Sequence, residues 1–211
     1  MSENNQHKPG IDVSNWQGTI DWQQVKAAGV QFAFIKASEG IDFQDPFFAA
    51  NIKEARLAGI ACGAYHFFQP MHPVDSQAEN FLSMIGALEK GDLPPVLDVE
   101  TPAAWSLLPL TDRVNAVTNW MSLVEAKLGI TPLIYMSSSF AGSVLGSASG
   151  LAKYPLWVAH YTQSAVPWVP APFQSWSFWQ YSNTGKIDGI TGDVDLDWFL
   201  GNQDDLQKLR M

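Results

Sequence analysis

Two carboxylates, Asp98 and Glu100, lie two residues apart in the apolar, proline-flanked stretch "LPPVLDVETP", residues 93–102. Side chains alternate across a strand, so both acids would share one face, opposite Leu97 and Val99. A buried carboxylate is costly unless it is paired, hydrogen-bonded or protonated. The pattern therefore favours a site in which one acid is kept protonated as a proton donor while its neighbour stays ionised.

Three more acids stand in short apolar segments with the same alternation. Asp12 lies in "GIDVS", and Asp195 and Asp197 alternate with valine and leucine in "DVDLDWF". Aromatic residues cluster in the neighbouring apolar segments, and four of them stand near strand ends: Tyr65, Tyr135, Tyr161 and Trp179. Carboxylates that accept hydrogen bonds from hydroxyls, beside rings that stack on pyranose faces, indicate a sugar polymer as substrate.

The apolar periodicity predicts the elements that must position these side chains. Strand signals at "GIDVS", "FAFIKAS", "ACGAYHFF", "PPVLDVE" and "TPLIYMS" alternate with helix signals. One helix begins at the capping residue Asp21, with Gln24 in a capping-box position, and the next begins at Asp45. A third helix has apolar residues at helical spacing from Ala78 to Leu88. After the fifth strand, "PLWVAHYT", "SFWQYS" and "DVDLDWF" predict three strands joined mostly by loops.

Five βα units followed by three strands with little or no helix between them predict an α/β fold, a modified TIM-type barrel. An open doubly wound sheet is the alternative, and it explains the three closing strands less well. In such a barrel the site lies at the C-terminal ends of the strands, and the first and last strands are neighbours. We therefore expect Asp12 and Asp195 to lie close together, in the same mouth as Asp98 and Glu100.

Composition limits the function further. The chain has 211 residues, a formal net charge of -9 and a pI near 4.7, which argues against nucleic acid as a partner. No apolar run is long enough to insert into a membrane. The single cysteine, Cys62, is expected in the core. We expect a flexible N-terminal extension over residues 1–9, one catalytic domain over residues 10–211, and a monomer.

Two other classes of function remain open on the residues alone. A metal-dependent hydrolase could use Asp12, Asp98 and Glu100 with His66 or His160 as ligands. The sequence lacks a tight ligand spacing such as HExxH, so we expect no metal and no other cofactor. A non-catalytic glycan-binding barrel would tolerate loss of the acids, yet the full set is present. The site chemistry also fits a glycosidase acting on another amino-sugar polymer, such as chitin.

The motifs taken together resemble glycoside hydrolase family 25, the Chalaropsis-type lysozymes or N-acetylmuramidases. These motifs are "GIDVSNWQG", "GAYHFF", "PPVLDVE", "WVAHY", "FWQYS" and "VDLDWF", and they run in family order from about Gly10 to Phe199. The resemblance implies a barrel of five βα units plus three strands. It also implies cleavage of the β-1,4 bond between N-acetylmuramic acid and N-acetylglucosamine in the peptidoglycan of the bacterial cell wall.

Carried over residue by residue, the resemblance gives Glu100 as the general acid, Asp98 as its partner, and Asp12 and Asp195 as the remaining catalytic acids. Family members often carry Asn where Asp197 stands, so Asp197 is left outside this set. Strand-end position and the resemblance together predict four substrate contacts: Tyr65, Tyr135, Tyr161 and Trp179. The D-x-E alternation is also similar to enzymes in which the substrate's own acetamido oxygen attacks, and we favour that route.

The place of action follows from the same resemblance. Many family members carry wall-binding repeats, which this sequence lacks, so the catalytic domain itself would have to target the wall. The first ten residues, "MSENNQHKPG", do not have the pattern of a secretory leader. We therefore expect either a phage-type endolysin released through a separate pore protein or a chain whose leader has been removed.

Overall fold

A barrel of eight strands forms the centre of the computed structural model, which describes residues 7–86, 89–146 and 149–210. The strands are β1 His7–Val13, β2 Phe32–Glu39, β3 Phe43–Gln44, β4 Ala61–Phe67, β5 Val96–Asp98, β6 Leu133–Ser137, β7 Leu156–Ala159, β8 Phe178–Gly185 and β9 Val194–Leu200. The two-residue β3 pairs with the end of β2 and stands outside the barrel. β1 pairs with both β2 and β9, and this pairing closes the barrel.

Strand direction changes at the last strand. Neighbouring strands are parallel from β1 round to β8, whereas β9 runs antiparallel to both β8 and β1. The beginning of β9 therefore lies at the same mouth as the carboxyl ends of the other seven strands. We predicted the neighbouring positions of β1 and β9 correctly, but not this reversal, which brings the first half of β9 to the mouth.

All helices but the last lie between β1 and β7 in the chain, and the last follows β9. The helices are α1 Trp22–Ala27, α2 Phe48–Leu57, α3 Val74–Ile85, α4 Pro102–Trp105, α5 Leu110–Leu128, α6 Ser138–Phe140 and α7 Gln203–Leu209. Loops join β7 to β8 and β8 to β9, so the modified TIM-type barrel predicted from the sequence is confirmed. Among the helices in the described part of the chain, none combines the length and apolar character needed to cross a bilayer.

The predicted helix starts are partly correct. The Asp21 carboxylate caps α1 by accepting from the backbone N–H groups of Gln23 and Gln24, both at 3.1 Å. The Gln24 side-chain amide donates to that carboxylate at 2.7 Å. The Asp21 backbone N–H donates to the Gly189 carbonyl at 2.9 Å and not to the Gln24 side chain, so no capping box forms. α2 begins at Phe48, three residues after Asp45, because the Asp45 turn precedes the helix and does not cap it directly.

The N-terminal boundary needs a correction. Residues 7–9 belong to β1 and pair with β9 from His7–Leu200 to Pro9–Trp198, so the predicted extension over residues 1–9 is too long at its end. Its residues 1–6 lie outside the described part of the chain. Leu88, which we placed in the third helix, also lies outside it, and α3 ends at Ile85.

Side-chain alternation divides the apolar residues between two layers. Val96, Phe34 and Trp157 face the barrel interior, where the Phe34 and Trp157 rings stack with centroids 4.5 Å apart. Leu97 and Val99 face the helix layer, as their parity predicted. Each fully buried large apolar side chain contributes about 1.5–3 kcal/mol. Aromatic rings fill the barrel interior below the mouth, and the acids lie above these rings.

Candidate active site

A cavity of about 390 Å³ opens at the mouth of the barrel. Its walls include all four acids that we predicted as catalytic, namely Asp12, Asp98, Glu100 and Asp195, together with Tyr65, Tyr135, Tyr161 and Gln180. The strand register explains this convergence, because Asp12 pairs directly with Asp195 across β1 and β9. Asp98 ends β5, opposite Tyr135 of β6.

Glu100 lies just beyond the end of β5, where the backbone changes direction. Thr101 follows it in the left-handed region, with φ 58° and ψ 66°, and the Thr101 hydroxyl donates to the Glu100 carbonyl at 2.7 Å. Non-glycine residues adopt this conformation at a cost, and such strain is often found at functional sites. The turn at Thr101 therefore fixes the direction in which the chain leaves Glu100.

The Asp98–Glu100 pair holds protons more tightly than two exposed carboxyls would. Burial raises the pKa of Asp98 well above its ordinary value, and the negative charge of Glu100 raises it further. Burial also raises the pKa of Glu100, opposed by a hydrogen bond with Tyr135 and by the charge of Lys36. Because two close carboxylates titrate as a coupled pair, the site retains a proton for acid catalysis over a wider pH range.

The second pair of acids has a third acid beneath it. Burial raises the pKa of Asp12, and the charges of Asp197 and Asp195 add to this effect. Burial raises the pKa of Asp195 to about 6, with a further contribution from Glu100. Asp197 is fully buried below the cavity, where it accepts from the Trp157 indole N–H at 2.8 Å. Asp197 therefore acts on the cavity through Asp12.

Gln180 connects both sides of the cavity and is absent from our predicted set. Its amide N–H donates to Asp12 Oδ2 at 2.7 Å, and its amide oxygen accepts from the hydroxyls of Tyr135 at 2.9 Å and Tyr161 at 2.7 Å. The sequence contained a signal for it. In "FWQYS" the glutamine has the opposite parity to Trp179 and Tyr181, which places an amide on the interior face of an aromatic strand.

The same parity corrects the prediction for Trp179. Tyr65, Tyr135 and Tyr161 line the cavity, but Trp179 faces the helix layer. Its indole packs edge-on against Trp176, with centroids 6.0 Å apart, and its N–H donates to a backbone carbonyl, that of residue 160, at 2.8 Å. A position at a strand end does not determine which face a side chain occupies, and the parity of Trp179 puts its indole outside the barrel.

Trp16 also lines the cavity, although we did not predict it. It lies in a short 3-10 turn, Asn15–Gln17, whose N-cap Ser14 forms a capping box with Gln17. The Trp16 side chain is 86% exposed, which is unusual for the largest apolar residue type. An exposed indole at the rim of a cavity provides a stacking surface for a sugar ring.

Trp16→Ala should raise KM by about 3- to 10-fold without lowering the melting temperature, because the ring contributes contact area but little packing. Trp179→Ala should instead destabilise the fold by about 3–5 kcal/mol, since its ring is 5% exposed. Kinetics on soluble glycan fragments and thermal unfolding separate the two effects. Trp168→Ala is the matched control, because Trp168 is 58% exposed and does not line this cavity. Unchanged KM in Trp16→Ala would remove Trp16 from the binding surface.

The two histidines considered as metal ligands lie elsewhere. The His66 ring faces the helix layer, where it stacks on Trp120 with centroids 5.5 Å apart and bonds to Ser38 at 2.9 Å. Burial lowers the pKa of His66 to about 4. His160 lies beside a neighbouring cavity and accepts a backbone N–H at 3.0 Å. Within residues 7–86, 89–146 and 149–210, no group of three or more His, Cys, Asp or Glu side chains is arranged to hold a metal ion.

The raised pKa of Asp195 predicts a pH dependence of stability. A carboxyl whose pKa is higher in the folded state stabilises the fold below its ordinary value of 3.8, and this contribution is lost as the pH rises through about 6. The melting temperature of Asp195→Asn should therefore rise relative to that of the wild type as the pH increases from 4 to 7. Asp42→Asn removes one negative charge at an exposed site and is the control, with the melting temperatures of both variants measured at pH 4 and pH 7. A change of the same size in both variants would contradict the burial of the Asp195 carboxyl.

The matching family model is that of glycosyl hydrolases family 25, over residues 11–190. Lysozyme M1 of Streptomyces globisporus is 42% identical over 200 residues, which cover 92% of this chain and 68% of that protein. The bacterial lysozyme of Streptomyces coelicolor has a crystal structure that superposes with a TM-score of 0.92 at 40% identity, covering 96% of each chain. The muramidase of Acremonium alcalophilum gives a TM-score of 0.87 at 32% identity, covering 96% of this chain and 98% of that one. This chain therefore belongs to glycosyl hydrolase family 25.

Proposed function

We propose that this chain is a muramidase that hydrolyses the β-1,4 bond between N-acetylmuramic acid and N-acetylglucosamine in the peptidoglycan of bacterial cell walls. The observation that carries the proposal is the convergence of Asp12, Asp98, Glu100 and Asp195 in one tyrosine-walled cavity. Residues 10–211, together with residues 7–9 of β1, act as one catalytic domain. All of these acids come from a single chain, so a monomer contains the complete site.

The position of the scissile bond follows from a second cavity of about 360 Å³. It shares Glu100, Tyr135 and Tyr161 with the first cavity, whereas the other three acids line only the first. Its remaining walls carry hydroxyl and imidazole groups, from Thr101, Ser137, Ser138, Ser139 and His160. The sugar that develops positive charge lies among the carboxylates, and the leaving sugar lies in the second cavity. Glu100, at the junction, faces the oxygen between them.

Glu100 supplies the proton in this arrangement. Cleavage of a glycosidic bond requires protonation of the leaving oxygen and stabilisation of an oxocarbenium-like centre. Burial keeps the pKa of Glu100 raised, so a proton is available at the pH where an exposed glutamate would have lost it. Asp98 lies deeper in the same face, where its carboxyl is close to the sugar ring that becomes positively charged.

Asp98 also supports participation of the substrate's acetamido group. Its Oδ1 atom is buried and has no hydrogen-bond partner among the described residues. A buried carboxyl oxygen without a partner is costly, so a ligand donor that fills this position gains binding energy. The acetamido N–H is such a donor. Held by Asp98, the acetamido oxygen attacks C1 while Glu100 protonates the leaving oxygen. Glu100 then accepts a proton from the water that opens the cyclic intermediate.

This route predicts that the new reducing end first appears as the β-anomer, because two displacements at C1 restore the original configuration. Proton NMR during the first minutes of digestion of a soluble glycan fragment distinguishes the anomers before mutarotation. Glu100→Gln with the same fragment is the control for spontaneous hydrolysis. Initial formation of the α-anomer would exclude the acetamido route and require direct attack by water.

Digestion of purified peptidoglycan tests the function itself. The chain should release soluble fragments with new reducing ends from peptidoglycan and much less from chitin, at equal rates with and without EDTA. A loss of rate in EDTA that divalent ions restore would favour the metal-dependent hydrolase. Binding to peptidoglycan without release of fragments would favour the non-catalytic barrel, and an equal rate on chitin would favour a broader amino-sugar specificity.

A further inference from the structure

Three hydrogen bonds meet at the side chain of Gln180, which is 3% exposed. The amide nitrogen donates to Asp12, and the amide oxygen accepts from Tyr135 and Tyr161. Asp12 and Tyr135 come from strands on opposite sides of the mouth, β1 and β6, and Gln180 lies on β8 between them in space. One amide therefore joins the Asp12 side of the cavity to the side that carries Glu100.

In this structure the amide nitrogen of Gln180 is on Asp12 and its oxygen is on the two tyrosines, the orientation that suits an ionised Asp12. An amide nitrogen only donates and an amide oxygen only accepts, whereas an ionised carboxylate only accepts. If the amide were reversed, its oxygen would face the Asp12 carboxylate and its nitrogen would face two hydroxyl groups. The orientation with nitrogen on Asp12 satisfies all three partners, so the amide oxygen attracts the hydroxyl hydrogens of both tyrosines.

Gln180 affects the protonation of Glu100 through the hydroxyl group of Tyr135. A tyrosine hydroxyl has one hydrogen to donate, and in this structure Tyr135 donates it to Gln180 at 2.9 Å. Tyr135 and Glu100 line the same two cavities, and the Tyr135 hydroxyl opposes burial by lowering the pKa of Glu100. When the hydrogen is on the Gln180 side, the hydroxyl oxygen can only accept from Glu100, which requires Glu100 to be protonated. When the hydrogen turns towards Glu100, it stabilises the carboxylate instead. Gln180 and Glu100 therefore compete for one hydrogen.

We propose that Gln180 is a positioning residue that holds the Tyr135 hydroxyl hydrogen away from Glu100 and so keeps Glu100 in its protonated form. After Glu100 has given its proton to the leaving oxygen, the Tyr135 hydrogen rotates to the new carboxylate, and Tyr161 continues to satisfy the amide oxygen. No proton leaves either tyrosine in this exchange. The role of Gln180 in catalysis rests on the proposed muramidase function. The effect of Gln180 on the protonation of Glu100 does not.

Gln180→Met tests this competition, because methionine has a similar length and cannot replace the amide bonds. The freed Tyr135 hydroxyl should donate to Glu100, so Glu100 should lose its proton at a pH lower by about 0.5–1 unit, the equivalent of one hydrogen bond. A carbon-13 NMR titration of labelled glutamate follows Glu100 directly and requires no substrate. Glu100→Gln assigns the signal. The alkaline limb of kcat/KM should move in the same direction and by the same amount.

A double variant separates this route from the bond to Asp12. In a Tyr135→Phe background, Gln180→Met should no longer move the Glu100 titration, because no hydroxyl hydrogen remains to be released. The other titratable groups that face Glu100 stay in place in both backgrounds: Lys36, Tyr65, Asp98, Tyr161 and Asp195. A shift of equal size in both backgrounds, or no shift in either, would overturn the proposal.

Two further variants provide controls. In Tyr161→Phe, Tyr135 is the remaining tyrosine that donates to the Gln180 amide oxygen. Its hydrogen therefore stays on Gln180, and the Glu100 titration should not move to lower pH. Gln180→Glu keeps an oxygen acceptor for both tyrosines and adds negative charge, so Glu100 should hold its proton to higher pH, opposite to Gln180→Met. If Gln180→Met fails to fold by near-ultraviolet circular dichroism, Gln180→Glu is compared in the wild-type and Tyr135→Phe backgrounds instead, and a Glu100 shift of equal size in both would overturn the proposal. A wild-type chain without muramidase activity would refute the function and leave these titrations interpretable.

Discussion

Replacing Glu100 by glutamine is expected to lower turnover on peptidoglycan by about 10²–10⁴-fold, the usual contribution of a general acid. Glutamine keeps the size and the hydrogen-bonding capacity of the side chain and removes its transferable proton. The fold should be unaffected or slightly more stable at neutral pH, because burial opposes the ionised form of Glu100 and its charge repels that of Asp98. Initial rates of fragment release and thermal unfolding measure the two effects separately.

Glu54→Gln provides the matched control, since Glu54 lies on an exposed part of α2, outside both cavities at the mouth. It should keep wild-type turnover. Near-normal turnover in Glu100→Gln, or loss of activity only through loss of folding, would mean that the two acids share a strand for a structural reason. The catalytic proton would then have to come from another group.

Asp98→Asn is expected to lower turnover by about 10²–10³-fold, as is typical when one preorganised electrostatic contact is removed. The carboxyl that faces the developing positive charge would be lost, and the acetamido N–H would meet an amide in its place. The change should also lower the pKa of Glu100, because the repulsion that raises the pKa of Asp98 acts equally on its neighbour. The alkaline limb of the residual pH–rate profile should therefore move to lower pH.

The pH profile distinguishes this effect from simple misfolding. A partly unfolded enzyme would lose turnover at every pH without moving the alkaline limb. Asp42→Asn, at an exposed site, should change neither the rate nor the profile. Asp12→Asn and Asp195→Asn should have smaller effects than Asp98→Asn if those acids position and tune the pair. An Asp98→Asn enzyme with an unmoved limb would show that Asp98 does not influence the protonation of Glu100.

The four cavity acids could be predicted because two simple rules acted together. Strand parity requires Asp98 and Glu100 to share a face, and barrel closure brings Asp12 beside Asp195. Both rules depend on local spacing and on the order of the elements, which the sequence contains directly. The apolar residues that alternate with the acids, such as Val99 between Asp98 and Glu100, show which face of the strand the acids occupy.

The rest of the site depends on three-dimensional features that spacing does not encode. β9 runs antiparallel to β8 and β1, and the alternation of residues within a strand carries no direction. Trp179 and Gln180 are neighbours of opposite parity, so the amide and not the indole lines the cavity. Trp16 lies in a turn, where periodicity gives no orientation. The exposure of Trp16 at the rim of the cavity is the observation that points to contact with substrate.

Identification of the new reducing ends tests the central claim most directly. Purified peptidoglycan is digested to completion, the products are reduced with borohydride, and the fragments are analysed by mass spectrometry, with Glu100→Gln as the control digest. Cleavage between N-acetylmuramic acid and N-acetylglucosamine places the reduced end on muramic acid, and this is the result that we predict. Reduced ends on glucosamine, or no ends beyond those of the control, would contradict the assignment of this chain as a muramidase.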